Sequence, residues 1–335
     1  MSKITIILDA HGGDHAPLEP IKGAAAAVAE YGVSVVLCGK ENELREVMKK
    51  NGISDIGMRF APAASVIPVE ANPTELLKTY KDSSMCIGLE MLAAGDGDAF
   101  VTAGSTGAFV VGSTLVVKRI KGVKRPALAT IIPCQGGRYF LLDAGANTEC
   151  RPETLCQFAV MGSAYASKIL GVENPRVGLV NIGSEETKGL DLHRETYAML
   201  KETKLNFIGN VEARGLPLGE CDVAVCDGFV GNVVLKLTEG MGKMMSGEIK
   251  NILMANTSTK IAALMLKGGF AGFKKRMDYT EYGGAPLMGI SKPVIKAHGS
   301  SNAKAFKNAM RQAKEVCERG VVEQISQEIS DSDKE

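Results

Sequence analysis

The sequence predicts an α/β fold, with a mainly parallel, doubly wound, Rossmann-like sheet covered by helices. Short apolar runs alternate along the chain with segments of helical periodicity, which is typical of parallel strands joined by crossover helices. Several of these runs end in a small polar cluster that contains glycine and leads into a helix. No repeat or low-complexity linker marks a boundary, so we predict a single α/β domain over residues 1–323 and a flexible acidic tail over 324–335.

The composition excludes several classes of protein. Of the 335 residues, 45% are hydrophobic and 23% charged, as in folded globular proteins. A net charge of +1 and an aromatic content of 5% argue against a nucleic-acid-binding protein. We expect no secretion signal and no membrane-spanning segment. The 8 cysteines lack CxxC or paired zinc spacing, which favours reduced thiols in a cytoplasmic protein.

The predicted strands are apolar runs that end at glycine, proline or polar turns. They cover residues 4–8, 33–38, 57–61, 99–103, 127–132, 139–142, 176–180, 206–208, 222–225 and 294–297. The segments between them have apolar residues at helical spacing. These predicted helices cover residues 20–31, 41–51, 83–94, 108–118, 153–170, 190–202, a long region from 233 to about 277, and a final helix that ends at 319. The glycine turn at 135–137 predicts an antiparallel hairpin.

Six polar clusters follow predicted strands. They contain Asp14 and His15; Gly104, Ser105, Thr106 and Gly107; Asp143 and Asn147; Gly183; Asp227, Gly228 and Asn232; and His298, Ser300 and Ser301. Ligands of open α/β sheets bind outside the carboxyl ends of the strands, where glycine lets backbone N–H groups approach an anion. For any single cluster, helix capping is the better explanation. Taken together, the six predict converging loops and an anion site, with phosphate as the expected anion.

Known nucleotide and metal signatures are absent from the sequence. No GxGxxG follows the first strand, neither Gly-Lys pair is followed by the Ser or Thr of a P-loop, and no HExxH occurs. His11 and His15 have the i, i+4 spacing of metal ligands, but they lie in a loop of glycine and proline. We therefore expect neither a metal nor a cofactor.

Ten segments in and around these loops carry a resemblance to a known family. They are residues 9–17, 102–108, 125–129, 142–147, 157–162, 175–183, 206–212, 225–232, 282–287 and 298–301. In this order, they resemble the phosphate acyltransferase family of phospholipid synthesis, the PlsX family. His11 is a departure, because the family usually has methionine there, and this weakens a metal or catalytic role for His11.

The resemblance implies transfer of a fatty acyl group from acyl-[acyl carrier protein] to inorganic phosphate, giving acyl phosphate and free carrier protein. It implies a homodimer whose fold is similar to isocitrate and isopropylmalate dehydrogenases and to phosphate acetyltransferases. The acyl phosphate would then serve a membrane glycerol-3-phosphate acyltransferase. An alternative is a phosphate acetyltransferase-like enzyme that uses a coenzyme A thioester.

Two rivals come from other classes of protein. A decarboxylating dehydrogenase needs a metal-binding carboxylate cluster and a nicotinamide site, and we can assemble neither from the sequence. A non-catalytic scaffold on a membrane surface would leave the six polar clusters unexplained.

Phosphate is a competent nucleophile at neutral pH, so positioning and charge matter more than a strong base. Backbone N–H groups and hydroxyls suit the phosphate at Ser105, Thr106, Ser300 and Ser301. Lys188 is the candidate for stabilising negative charge, and its alternative role is a solvated lysine paired with Glu185 or Glu186.

Neutral donors and proton donors complete the candidate site. Asn232 and Asn147 offer side-chain amides to an oxyanion; otherwise Asn232 caps a helix that begins at Val233, and Asn147 is a turn residue. His15 and His298 can donate a proton to the leaving sulfur, or they are structural. Three aspartates are expected to orient these groups or cap helices: Asp14, Asp143 and Asp227.

Two basic stretches predict contacts with a partner or a membrane. The first carries its charges at Lys118, Arg119, Lys121, Lys124 and Arg125. The second has an apolar helical stripe of Leu266, Phe270, Phe273 and Met277 beside Lys267, Lys274, Lys275 and Arg276. We expect the first to dock carrier protein, and 260–277, within a helical insertion at about 255–277, to contact an anionic membrane. The alternative is a helix packed on its own core or on a dimer partner.

Overall fold

The structure is a computed structural model that describes residues 3–68, 70–270, 272 and 281–332. Its centre is one eleven-stranded sheet. The strands are β1 (Thr5–Asp9), β2 (Ser34–Gly39), β3 (Met58–Pro62), β4 (Ala99–Thr102), β5 (Ala127–Cys134), β6 (Gly137–Leu142), β7 (Val177–Asn181), β8 (Phe207–Glu212), β9 (Val223–Val225), β10 (Ala285–Met288) and β11 (Val294–Lys296).

Helices join most of these strands. They are α1 (Leu18–Tyr31), α2 (Glu41–Lys50), α3 (Leu76–Thr79), α4 (Ser84–Ala94), α5 (Thr106–Gly112), α6 (Pro152–Tyr165), α7 (Asp191–Lys201), α8 (Gly228–Met254), α9 (Thr257–Met265), α10 (Ala303–Glu318) and α11 (Val321–Ser332). Single π-helical turns extend α5 over Ser113–Val117 and α6 over Ala166–Leu170.

The sheet contains two parallel blocks. The strand order is β3-β2-β1-β4-β11-β10-β5-β6-β9-β7-β8. The first five strands of this order (β3, β2, β1, β4 and β11) are parallel to one another, and so are the last four (β6, β9, β7 and β8). Between the blocks, β10 is antiparallel to both neighbours, and β5 and β6 form the predicted antiparallel hairpin. The mainly parallel α/β fold is thus confirmed, but the two blocks run in opposite directions.

The core lies on both halves of the sheet. In the first half, α1 and α10 pack on β1, β2 and β4, with Phe306 and Ile21 buried between them. In the second half, α6 and α11 pack on β5, β6 and β9, where the rings of Phe140 and Tyr165 stack at 4.2 Å. Most strand residues are buried, with the edge strands β3 and β8 as the main exceptions, which is why the inner strands read as apolar runs rather than alternating ones.

Several elements differ from the sequence prediction, among them the C-terminal tail and one strand in the middle of the sheet. The tail predicted to be flexible from residue 324 is helical up to Ser332, because Ile325 and Ile329 are fully buried. Strand β10 was not predicted, since its Ala-Pro-Leu-Met run is only four residues long and contains a proline.

Candidate active site

The first loop group consists of the loops that follow β1, β4 and β11, namely residues 10–15, 103–107 and 297–301. The backbone joins them directly: Asp14 N donates to Gly299 O at 2.8 Å, and Ala297 N donates to Thr102 O at 2.7 Å. Gly12 lies so close to the second loop that a Cβ would be 2.8 Å from Gly104 N. Three of the six predicted clusters therefore come together.

A row of buried polar side chains lies at the last residue of three adjacent parallel strands: Asp9, Thr102 and Lys296. The Asp9 carboxylate accepts hydrogen bonds from Thr102 Oγ1 at 2.7 Å and from Ser84 Oγ at 2.6 Å. Thr102 Oγ1 in turn accepts from Gly104 N at 2.9 Å. The buried carboxylate is thus satisfied, and the bonds fix the loop after β4 against β1.

His298 has a defined tautomer. Its Nδ1 accepts a hydrogen bond from the backbone N of Ser300 at 3.2 Å and lies 2.9 Å from Ser300 Oγ. Because a backbone N–H can only donate, the neutral ring carries its proton on Nε2. Burial lowers the pKa of His298; the charges of Lys236 and Lys296 also lower it, whereas Glu239 and Asp14 oppose the shift.

The other predicted residues of this group differ in exposure. Ser105 is half-buried, and its hydroxyl makes no capping bond at the start of α5, so capping does not account for it. Ser301 is buried, at 5% exposure. The exposed ones are Asp14, His15, Thr106 and Ser300, while Gly104 and Gly107 are half-buried.

The second loop group follows β6, β7 and β9 and comprises residues 143–148, 182–190 and 226–232. Asp143 organises its first loop. The carboxylate is fully buried and accepts hydrogen bonds from the backbone N of Leu128 at 3.0 Å, Ala146 at 2.9 Å and Asn147 at 2.7 Å. Burial raises the pKa of Asp143, although these bonds oppose the shift. The Asp143 carboxylate therefore fixes the loop after β6 on the start of β5.

Asn147 does not serve as predicted. Its side-chain amide donates one hydrogen to Pro126 O at 2.7 Å and the other to the Asp143 carboxylate at 2.8 Å. An amide nitrogen has two hydrogens, so none remains for an oxyanion. Asn147 instead joins the segment before β5 to the loop after β6, which is closer to the alternative of a turn residue.

Helix α8 begins in this group, at Gly228 rather than at Val233. Its N-cap is Asp227, whose carboxylate accepts from Val230 N at 2.8 Å. Asn232 therefore lies one turn inside the helix, and the alternative that it caps a helix is wrong. Its side chain is exposed and lies over Gly145, where a Cβ would be 3.6 Å from Asn232 Cβ.

Lys188 lies exposed in the loop between β7 and α7. Its stem packs on the buried Gly183, where a Cβ would be 3.0 Å from Lys188 Cγ. Its carbonyl accepts from Asn181 Nδ2 at 3.1 Å, which fixes the loop on β7. Glu186 pairs with Lys201 at 3.0 Å, so the alternative of a Lys188–Glu186 pair is wrong, and the described residues show no ion pair for Lys188.

The six clusters thus form two groups instead of one, because the two parallel blocks run in opposite directions. Helix α8 connects them. It starts in the second group and carries Lys236 and Glu239, which pair at 2.9 Å, to a position where their charges act on His298. The sequence could not show this, since a strand's direction within a mixed sheet depends on distant pairings.

The comparisons with known proteins bear on this arrangement. A family model described as "Fatty acid synthesis protein" matches residues 4–324. A protein named "Phosphate acyltransferase" from Thermoanaerobacterium thermosaccharolyticum is 48% identical over 97% of this chain and 96% of its own length. One of the same name from Thermoanaerobacter pseudethanolicus is 49% identical over 97% of each chain. This chain belongs to the phosphate acyltransferase family. It is an acyltransferase of fatty acid and phospholipid synthesis.

Solved structures support the fold of this family member. A phosphotransacetylase from Streptococcus pyogenes superposes with a TM-score of 0.67 at 17% identity, covering 94% of each chain. The EutD phosphotransacetylase from Staphylococcus aureus gives a TM-score of 0.61 at 16% identity, covering 97% of this chain and 94% of that one. The expected likeness to the phosphate acetyltransferase fold is confirmed.

Lys296 was missed by the sequence reasoning. It is 8% exposed, and its Nζ donates to Ala297 O at 2.5 Å. Burial lowers the pKa of its ammonium to about 8, against the attraction of Asp9 and Asp14. The signal in the sequence is a lysine near the end of an otherwise apolar run, two residues before His298, and the strand prediction over 294–297 concealed it.

The first basic stretch forms an ordered loop in this phosphate acyltransferase. Ile120 and Val123 are buried beneath it, whereas all five charged residues are exposed. Gln157 holds the loop by accepting from Lys124 N at 2.8 Å and donating to Gly122 O at 2.9 Å. Arg119 also donates to the carbonyl of Lys124. The charges thus project from a fixed backbone.

The second basic stretch is described only in part. Helix α9 ends at Met265, so Leu266 lies at its C-cap instead of inside a continuous helix. Leu266 and Lys267 are exposed, and Phe270 is half-buried. Phe273, Lys274, Lys275, Arg276 and Met277 lie outside the described residues. In the part of the chain that is described, no helix is long and apolar enough to cross a membrane.

Proposed function

We propose that this enzyme transfers a fatty acyl group from acyl-[acyl carrier protein] to inorganic phosphate, giving acyl phosphate and free carrier protein. The observation that carries the proposal is the position of the ordered basic loop 118–125. Pro126 follows this loop directly. The side-chain amide of Asn147 donates both to the Pro126 carbonyl and to the Asp143 carboxylate, so it links the basic loop to the second loop group. A carrier protein, acidic by family resemblance, would dock on the exposed charges and deliver its thioester beside that group.

In this proposal, phosphate is held in the first loop group by hydroxyls and backbone N–H groups of Ser105, Thr106, Ser300 and Ser301, beside Gly104 and Gly107. The predicted Gly183 and Gly228 lie in the second group, where they are buried and pack on Lys188 and Asn147. Helix α8, which runs from the second group towards His298, would bring the thioester to the phosphate. Phosphate attacks the thioester carbonyl, the C–O bond forms, and a tetrahedral oxyanion results. Lys188 and Asn232 stabilise that negative charge, because one carries a positive charge and the other an exposed amide.

Collapse of the intermediate breaks the C–S bond, and the thiolate leaves with the carrier protein. Of the two candidate histidines, His298 can donate a fixed hydrogen bond from Nε2–H to the developing thiolate, because Ser300 N donates to Nδ1, and the released thiolate takes its proton from water. The two histidines are distinguished by the pH dependence of His298→Gln and His15→Gln turnover.

The exposed apolar side chains of α8 support a homodimer. Val233, Leu237, Met241 and Met244 recur at spacings of four, four and three, and each is at least 44% exposed. Such a stripe on a 27-residue helix fits an interface with a second copy. Sedimentation of Leu237→Glu as a monomer, against a dimeric wild type, tests it.

The segment 260–277 is proposed to contact an anionic membrane, which would make the enzyme peripheral and place its product near a membrane glycerol-3-phosphate acyltransferase. Ile261, Leu264 and Met265 are each more than half exposed next to Lys260 and Lys267. Leu266→Glu should reduce flotation with anionic vesicles, while Leu218→Glu, at an exposed site elsewhere, should not. Equal flotation of both variants would refute the contact.

The deciding experiment incubates the purified enzyme with an acyl carrier thioester, with and without phosphate. We expect phosphate-dependent release of thiol and formation of acyl phosphate. Replacing the carrier by the matching coenzyme A thioester tests the alternative, a phosphate acetyltransferase-like enzyme. Higher turnover with coenzyme A would overturn the carrier assignment.

A further inference from the structure

Lys296 is a buried charge that the proposed mechanism does not use. Taking an ammonium out of water costs several kcal/mol unless it is paired. Among the described residues, its hydrogen bond is to Ala297 O at 2.5 Å, and the carboxylates whose charges act on it are Asp9 and Asp14. The described residues show no direct ion pair for this ammonium, and a buried charge without one at a candidate site points to a role in function rather than in stability.

The position of Lys296 is built by the sheet. Lys296 pairs in register with Thr102 on the parallel strand β4, and Thr102 donates to Asp9 on β1. The three residues therefore end adjacent strands beneath the first loop group. The carbonyl that Lys296 holds belongs to Ala297, the residue that precedes His298.

Asp14 reaches the same place from the loop after β1. Its backbone N donates to Gly299 O at 2.8 Å, and its carboxylate lies about 3.4 Å from the position of a Cβ on Gly299. The charges of Asp9, at the end of β1, and of Asp14, in the loop that follows, both act on Lys296, which is bonded to the backbone of the loop that carries His298.

We propose that Lys296 is a positioning residue for His298: its buried ammonium holds the Ala297 carbonyl beneath the first loop group and so fixes the adjacent His298 ring, whose Nδ1 accepts from Ser300 N and whose proton lies on Nε2. The charged groups around the two side chains are Asp9 and Asp14 from the β1 loop and Lys236 and Glu239 from α8. The inference rests on the proposed function only for its kinetic readout.

The test is an NMR titration of the histidine side chains, which number four in the chain. His298→Gln assigns the His298 resonances, and the ring ¹⁵N shifts report its tautomer. The wild type should show the Nε2–H tautomer. Lys296→Met should raise the pKa of His298 and mix the tautomers. Lys292→Met removes an exposed lysine just before β11 and should leave both unchanged. If Lys296→Met titrates like Lys292→Met, the proposal is overturned.

A measurement on the wild type keeps the test independent of how Lys296→Met folds. The His298 shifts should show a second step near pH 8, where the buried ammonium loses its proton, and a single-step titration would contradict the proposal. Kinetically, Lys296→Met should lower kcat about tenfold with a smaller change in the KM for phosphate, and Lys296→Arg should recover part of the loss. If the wild type forms no acyl phosphate, the proposed function fails while the titration still decides the role of Lys296.

Discussion

Gly231 lies against the backbone oxygen of Asp143 so closely that a Cβ on Gly231 would come within 1.9 Å of that oxygen. The contact joins the first turn of α8 to the loop after β6. It explains why a glycine occupies a helical position, where it costs up to about 1 kcal/mol relative to alanine.

Gly231→Ala should therefore lower the free energy of unfolding by about 1–3 kcal/mol, because α8 must move away from the loop. Gly240→Ala is the matched control in the same helix, since a Cβ there meets nothing within 4 Å. It should raise stability by up to about 1 kcal/mol. Urea denaturation of the two variants measures both effects, and equal stabilities would contradict the close contact.

Asp143→Asn should destabilise the protein by at least about 2 kcal/mol. The new amide group would point a donor at the N–H groups of Ala146 or Asn147, which now donate to the carboxylate. Asp191→Asn, at an exposed carboxylate that pairs with Arg194, should change stability by less than about 0.5 kcal/mol. If denaturant titrations give Asp143→Asn the same free energy of unfolding as the wild type, the loop does not depend on this carboxylate.

Asn232→Ala should lower turnover about tenfold and leave the free energy of unfolding within about 0.5 kcal/mol of the wild type. The reason is that Asp227, not Asn232, caps α8. Asp227→Ala should lose about 1 kcal/mol of stability as a cap. Steady-state kinetics and thermal unfolding on both variants separate the roles, and a loss of stability without loss of turnover in Asn232→Ala would remove it from the mechanism.

Lys188→Ala should lower turnover at least about tenfold, equivalent to about 1.4 kcal/mol of transition-state stabilisation. Lys201→Ala is the control, because that lysine is exposed on the neighbouring helix and pairs with Glu186. Rates at saturating thioester and phosphate are compared. Wild-type turnover in Lys188→Ala would exclude it from catalysis.

The pH dependence of stability should differ between the wild type and Lys296→Met. The pKa of Lys296 is about 8 in the fold, below its ordinary value of 10.5. Between these values the unfolded chain binds more protons, so wild-type stability rises with pH relative to the variant. The cost of the buried charge is fully present below about pH 8 and is relieved towards pH 10.5, by up to about 3 kcal/mol. A pH-independent difference between the two proteins would refute this.

Much of the fold was predictable because its strands are buried on both faces and its helices are amphipathic. The prediction of helix 20–31 was close to α1, and the hairpin predicted around 135–137 is formed by β5 and β6. Predictions failed where local signals were weak. Strand β10 is short and contains proline. The sequence of α11 is mostly polar, and its helix is stabilised by the burial of Ile325 and Ile329 in the core beside α6.

The candidate site shows the same division. Residue type and position at strand ends identified the loops, and family resemblance identified the reaction class. Asn147 and Asn232 each follow a strand in a glycine-containing cluster, so the sequence does not distinguish them. In the fold, both amide hydrogens of Asn147 are bonded to protein groups, whereas the side chain of Asn232 is exposed. Hydrogen-bond partners come from residues far apart in the chain, so only the fold assigns them.

The sequence by itself determined that this is a mainly parallel α/β protein of the phosphate acyltransferase family with polar, glycine-rich loops after its strands. Apolar periodicity and local motifs carry that information along the chain. The tertiary structure alone decided that the loops form two groups, that Asp9 and Asp143 anchor them, and that Lys296 is buried beside His298. The physical reason is that strand direction, burial and charge are set by pairings between distant segments, which no local pattern encodes.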